Sequence, residues 1–218
     1  MSSLKTMTLY SHKGGPNPWK VAIILEELGL PYKSTFPAVK EEPYLSINPN
    51  GRVPAIEDPN TGITLWESAA IIQYLIETYD KEGKISYSKA PEKFYQNQWL
   101  AFQISGQGPY FGQAAWFGKF HPEKLPSAHE RYTKEIERVT MVLDTWLQKH
   151  EYLVGDKCTF ADLSFITWAS IAPYLTNGQD VTSKYKAYNA WLQKLTSRAA
   201  VKKVLADKQK VEKGESLD

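Results

Sequence analysis

Residues 48–55, Asn48-Pro49-Asn50-Gly51-Arg52-Val53-Pro54-Ala55, and the later tetrad Trp66-Glu67-Ser68-Ala69 decide how this chain is read. A proline stands where a β-strand is about to begin, and a Glu-Ser pair stands where a helix is about to begin. A strand-initial proline in the trans form is unremarkable. In the cis form the preceding residue can turn its N–H and C=O outward, where an extended ligand pairs with them. Glu67 and Ser68 also have two readings. One is local capping, with Ser68 as N-cap and Glu67 near the positive end of the helix dipole. In the other, free helix N–H groups and the Ser68 hydroxyl receive a carboxylate, and Glu67 accepts an ammonium. An amino-acid head group carries both charges, so the two segments describe a pocket for a small peptide-like anion.

Around them, the first 80 residues alternate between strand and helix signals. Met7-Thr8-Leu9-Tyr10 reads as a strand ending in the turn-rich run 11–16. Asn17-Pro18 then opens a helix, with Asn as N-cap and Pro at the first helical position. Val21, Ile24, Leu25 and Leu28 form its apolar stripe, and Gly29 suits its C-terminal cap. Residues 32–36 read as a second strand. Residues 55–57 and 63–66 form a hairpin around Pro59, Asn60 and Gly62, and 68–79 an amphipathic helix. The order β-α-β, then β-β-α, fits a small mixed sheet.

Beyond Asp80 the pattern changes. Residues 83–89 read as a linker between a first domain over 1–82 and an all-helical second domain over 90–218. Helices are expected over 91–103, 127–149, 160–171 and 184–196, with a kink or break at Gly106-Gln107-Gly108-Pro109. Thr159 to Asp162 has the spacing of a capping box, although a simple helix start is the reading preferred. The Lys-rich stretch 202–213 reads as a solvated helix or a frayed tail.

The chain has 218 residues, 26 basic and 24 acidic, for a formal net charge of +2. That balance gives no argument for nucleic acid or an anionic membrane as partner. The single cysteine, Cys158, excludes an internal disulfide, a CxxC redox pair and a cysteine-based zinc site. His12, His121, His129 and His150 show no metal spacing, so no metal is expected. No apolar run approaches the ~20 residues of a membrane span, and no apolar leader follows Leu4. A cytoplasmic protein is expected.

Asn17 has a second reading beside the N-cap. Its amide can donate to a thiolate held above the helix N-terminus, where the dipole favours the anion. Here the residues reach a family. The run 11–17 (Ser-His-Lys-Gly-Gly-Pro-Asn), 48–55 and Trp66-Glu67-Ser68 resembles the cytosolic glutathione transferases, and so do 98–103, 108–113 and Glu130-Arg131-Tyr132. Within the family the chain is similar to the branch of bacterial disulfide-bond reductases and the fungal nitrogen-regulatory homologue.

The resemblance implies an α+β thioredoxin-like N-terminal domain followed by an all-α C-terminal domain. It also implies a homodimer, and glutathione as co-substrate. The Val53 backbone beside cis-Pro54 is expected to pair with the cysteinyl part, and Glu67 and Ser68 to hold the γ-glutamyl end. Lys40 and Arg52 lie where the glycyl carboxylate is met, although each also reads as a solvated charge. Arg131 reaches toward the site or serves a surface helix pair. Tyr110, Phe111, Trp116 and Phe117 form a co-substrate wall or simply core.

The chain departs from the family near the end of the first strand. Many members carry a thiol-activating Tyr, Ser or Cys there, whereas this stretch is glycine-rich and some bacterial relatives' Thr is Gly15. Tyr10 and Ser11 have the wrong offset, which leaves Asn17 as the candidate catalytic residue. The expected function is a detoxifying glutathione transferase, or a glutathione-dependent disulfide reductase or peroxidase. The alternative is a non-catalytic module of the same fold that binds or regulates another protein.

Overall fold

The computed structural model describes residues 4–217; the outermost ends of the expected domains, residues 1–3 and 218, lie outside the described residues. The chain begins with β1 (Met7–Tyr10), α1 (Pro16–Leu28), β2 (Tyr32–Thr35), the one-turn α2 (Tyr44–Ile47), β3 (Ala55–Asp58), β4 (Ile63–Trp66) and α3 (Ser68–Tyr79). The sheet order is β2-β1-β3-β4. Strand β1 runs parallel to β2, as a crossover through α1 requires, and antiparallel to β3; β3 and β4 form a hairpin. This is the mixed sheet that the sequence implied. Helix α1 packs on α3, and Leu9, Ile23, Ile24, Leu25, Ile56, Ile71 and Ile72 are all fully buried.

Helix α1 starts earlier than expected. Gly15 is its N-cap and Pro16 takes the first position, so Asn17 is not the cap. The reason is local: Pro16 has a helix-ready φ and no N–H to satisfy, which suits the first helical position. Gly29 closes the helix at φ 68° as anticipated.

The helical part comprises α4 (Glu92–Phe102), α5 (Gly108–Ala115), α6 (Pro126–Leu147), α7 (Phe160–Leu163), α8 (Ile166–Ala169), α9 (Ala172–Leu175), α10 (Lys186–Thr196) and α11 (Ala199–Glu212). The glycines at 106 and 108 do not break the chain into a loop. A π-helical turn over Gln103–Gln107 joins α4 to α5, and a second follows over Trp116–Phe120. Residues 160–171 are not one helix but two single turns. The Ser164 and Ser170 hydroxyls donate back to the carbonyls of Phe160 and Ile166, a pattern that bends helices. At 159–162 the capping box is complete, more than a simple helix start: the Asp162 carboxylate accepts from the Thr159 N–H and hydroxyl.

The lysine-rich C-terminal stretch is neither frayed nor merely solvated. Helix α11 buries Val201, Val204 and Val211 and packs against α1. Arg198 donates two hydrogen bonds, at 2.6 and 2.7 Å, to the buried carboxylate of Glu27 on α1. By contact the chain therefore forms two units: Tyr87–Thr196 is one, and the segments before and after it make up the other.

Candidate functional site

Strand register brings the opening segments together. Ala55 pairs with Tyr10 on β1 and with Trp66 on β4. The end of β1, the start of β3 and the end of β4 therefore share one edge of the sheet. At that edge lie the turn into α1, the Val53–Pro54 peptide and the Glu67-Ser68 pair. The Val53–Pro54 bond is cis.

The 48–54 loop is held by its own carbonyls. Asn48 accepts from Gly51 N at 2.9 Å, closing a turn in which Gly51 has φ 60°. A Cβ on Gly51 would lie 2.8 Å from the Val39 carbonyl oxygen and 3.0 Å from Lys40 Nζ, so only glycine fits. The Arg52 carbonyl accepts from Tyr44 Oη at 2.6 Å and from Asn48 Nδ2 at 2.7 Å. Asn48 Oδ1 also accepts from Asn50 N at 3.0 Å. These bonds orient the peptide plane just before Val53. Sequence reading missed Tyr44 and Asn48 as positioning groups. The signal for Asn48 was present, because Asn accepting from the N–H two residues on is the Asx-turn pattern. The Arg52 side chain is exposed, as is Lys40, whose ammonium lies 3.4 Å from the Asn50 carbonyl.

At α3 the capping reading loses its geometry. The N-cap is Glu67, not Ser68, and its side chain makes no cap bond. Glu67 stands at φ 73° and ψ 116°, which a non-glycine residue adopts at a cost of ~1–3 kcal/mol. Ser68 is the first residue of the helix and only 5% exposed, while Glu67 is exposed.

At α1, Pro16 and Pro18 carry no N–H, so within 16–18 Asn17 alone offers a backbone donor as well as its side-chain amide. Asn17 is half-buried. Lys20, one turn on, is fully buried, which sequence reading missed. Its signal is position: 20, 24 and 28 fall on one helix face. Burial pushes the Lys20 ammonium down to about 7, and the nearby Glu67 carboxylate pulls it part of the way back. Tyr10 gives no sign of activating a thiol. Its hydroxyl donates to Glu57 at 2.8 Å, and burial followed by that carboxylate raises it to about 12. Ser11 is 2% exposed with an unpartnered hydroxyl.

The remaining candidates lie in the helical unit. Phe111 is 1% exposed and edge-on to Trp168, so it is part of the core. Trp116 is exposed, and Tyr110 and Phe117 are half-buried. Phe117 stacks on Tyr132 at 5.6 Å, and Tyr110 lies 6.5 Å from the same ring, which makes a continuous aromatic row. Arg131 donates to Glu135 at 2.6 Å, and Arg138 donates to the same carboxylate at 2.7 Å. Among the described residues, no cluster of His, Cys, Asp and Glu is arranged to hold a metal, and no helix is long and apolar enough to cross a membrane.

Family models for the glutathione S-transferase N-terminal domain and C-terminal domain match residues 5–77 and 109–199. The glutathione S-transferase-like protein OpS6 of Beauveria bassiana is 49% identical over 214 residues, covering 95% of this chain and 98% of that protein. The crystal structure of the Phanerochaete chrysosporium glutathione transferase URE2P6 with oxidized glutathione is similar at TM-score 0.90 and 51% identity, covering 95% of this chain and 98% of the other. Ure2p5 of the same fungus, cocrystallized with 1-(S-glutathionyl)-2,4-dinitrobenzene, is similar at TM-score 0.90 and 40% identity, covering 99% and 100%. With a mixed four-stranded sheet followed by helices, and with both family domains matched in order, the chain belongs to the glutathione S-transferase family.

Proposed function

We propose that the protein is an enzyme that binds glutathione, ionises its thiol above the N-terminus of α1 and directs the thiolate at an electrophile. One observation carries the reading: the register Tyr10–Ala55–Trp66 sets the cis Val53–Pro54 peptide, the Glu67-Ser68 pair and the α1 entry at one sheet edge. The oxidized glutathione in the 51%-identical URE2P6 structure supports it.

In this reading residues 1–82 bind glutathione. The Val53 backbone beside Pro54 pairs with the cysteinyl residue. Ser68 and the α3 N–H groups take the γ-glutamyl carboxylate, and Glu67 takes the ammonium. Lys40 and Arg52, both exposed, meet the glycyl carboxylate. Asn17 donates to the thiolate, and the helix dipole adds to that stabilisation. The helical unit supplies the co-substrate surface through Tyr110, Trp116 and Phe117, with Phe111 packed behind. Arg131, already engaged by Glu135, is the weakest of the glutathione candidates.

Three reactions fit such a thiolate. With an aryl halide a sulfur–carbon bond forms and halide leaves with the bonding pair. With a disulfide the thiolate forms a mixed disulfide as one substrate thiolate leaves, and a second glutathione thiolate then displaces the other substrate thiolate to give oxidized glutathione. With a hydroperoxide the thiolate takes the terminal oxygen as the O–O bond breaks and the alcohol leaves, and a second glutathione converts the sulfenic acid to oxidized glutathione and water. Cys158 is the chain's only cysteine and 5% exposed, so the redox sulfur in the last two reactions is glutathione's own. The Ure2p5 structure with a dinitrobenzene conjugate makes the first reaction the one to assay first. The proposed form is a cytoplasmic homodimer.

Retention on immobilised glutathione, with turnover of an aryl halide, a small disulfide and a hydroperoxide, tests the reading. Retention with turnover of at least one is expected; no retention overturns it, and retention with no turnover points to the binding-module alternative. Asn17→Ala should lower kcat/KM about a hundredfold, the typical loss for one removed oxyanion donor. Unchanged kinetics at saturating glutathione would remove Asn17 from the chemistry.

A further inference from the structure

His12 lies in the turn between β1 and α1, and sequence reading gave it no chemistry. Its Nδ1 accepts two backbone hydrogen bonds, from Gly14 N at 3.1 Å and from Gly15 N at 3.0 Å. Its own carbonyl accepts from the indole Nε1 of Trp19 at 3.0 Å, and the Lys13 carbonyl accepts from the same group at 3.1 Å. Trp19 is 1% exposed within α1, so the turn is tied to the helix at a buried anchor. A Cβ on Gly15 would lie 3.3 Å from His12 Cβ and 3.4 Å from Nδ1, closer than most neighbours allow.

This arrangement answers a deficit at the start of α1. Its N-cap is Gly15, which has no side chain to cap with, and Pro16 and Pro18 bring no N–H. The imidazole accepts from the residues two and three positions on, the geometry by which an Asn or Asp side chain closes an Asx turn. Gly14 N and Gly15 N are thereby occupied by the His12 ring.

We propose that His12 is a positioning residue for thiol activation: its unprotonated Nδ1 fixes the Gly14-Gly15 backbone and so holds the α1 N-terminus and Asn17 where they stabilise the glutathione thiolate. The inference rests on the glutathione reading given above. The ring acts through the backbone and touches no substrate. The charged groups around that turn are Lys13 beside it and, from α11, Glu212. The latter has its Oε1 3.9 Å from where a Gly14 Cβ would lie, and it is paired with Lys208.

The test compares His12→Ala with His12→Asn, whose Oδ1 can accept the same two N–H groups. The near-ultraviolet absorbance of enzyme-bound glutathione thiolate is titrated against pH, and kcat and KM are measured with an aryl halide. His12→Ala is expected to move the thiol titration upward by about one pH unit and to lower kcat about tenfold at neutral pH, with KM for glutathione little changed. His12→Asn is expected to restore both, and thermal melts show whether each variant is folded. A His12→Ala protein with the wild-type thiol titration, or a folded His12→Asn protein as impaired as the alanine variant, overturns the role of His12 alone. A wild-type protein that holds no glutathione overturns the functional reading and this inference with it.

Discussion

Glu67 is the residue at which backbone and side chain make opposite demands. Its φ of 73° suits glycine, while its carboxylate is what the proposed site uses. Glu67→Gly should therefore be more stable than Glu67→Ala by about 1 kcal/mol in urea denaturation, since only the first relieves the backbone. Equal stability would mean that the local conformation relaxes freely. Lys20 offers a second prediction through pH. Its folded value of about 7 lies below the ordinary 10.5, because burial disfavours the ammonium more than Glu67 favours it. The unfolded chain thus binds that proton more tightly, and burial of the charge costs stability in full below about pH 7. The cost fades as pH rises toward 10.5. Relative to wild type, Lys20→Met should gain stability at pH 6 and lose that gain by about pH 10. A pH-independent difference between the two proteins would contradict the assignment.

The elements differ in how plainly the sequence announced them. Helix α3 was legible to the residue because Ile71, Ile72, Leu75 and Ile76 repeat at helical spacing after a polar start. The hairpin of β3 and β4 was legible from its turn residues. The start of α1 was misread because Asn17-Pro18 and Gly15-Pro16 both satisfy the local rules, and the earlier proline prevails. The packing of α11 was hidden for a different reason. Its buried residues Val201, Val204 and Val211 share the helix with lysines at 202, 203, 208 and 210, and its partner α1 lies far away in sequence. Local patterning carries no trace of such a contact. The candidate site divides the same way: Val53, Pro54, Glu67 and Ser68 were visible in short motifs, whereas Tyr44 and Lys20 act through tertiary placement. The α1–α11 contact yields a test of its own. Arg198→Ala leaves the Glu27 carboxylate buried without its two-pronged partner and should cost about 2 kcal/mol. Arg198→Lys, which cannot reproduce the paired bonds, should recover only part of that in chemical denaturation.

For the molecule as a whole, the two contact units do not follow the order of the chain. One unit combines the residues before Tyr87 with those after Thr196, and the helical unit lies between them in sequence. Deleting residues 197–218 should accordingly weaken glutathione binding and raise amide hydrogen exchange in α1, while α6 and α10 keep their protection. Loss of protection spread evenly over both units would argue against that division. The discontinuity also bears on birth at the ribosome. Domains commonly fold in order of emergence. Here the part of the divided unit made first has one side of α1 uncovered until α11, with Val201, Val204 and Val211, has left the exit tunnel. The helical unit can therefore be finished before the unit whose first strands were made ahead of it.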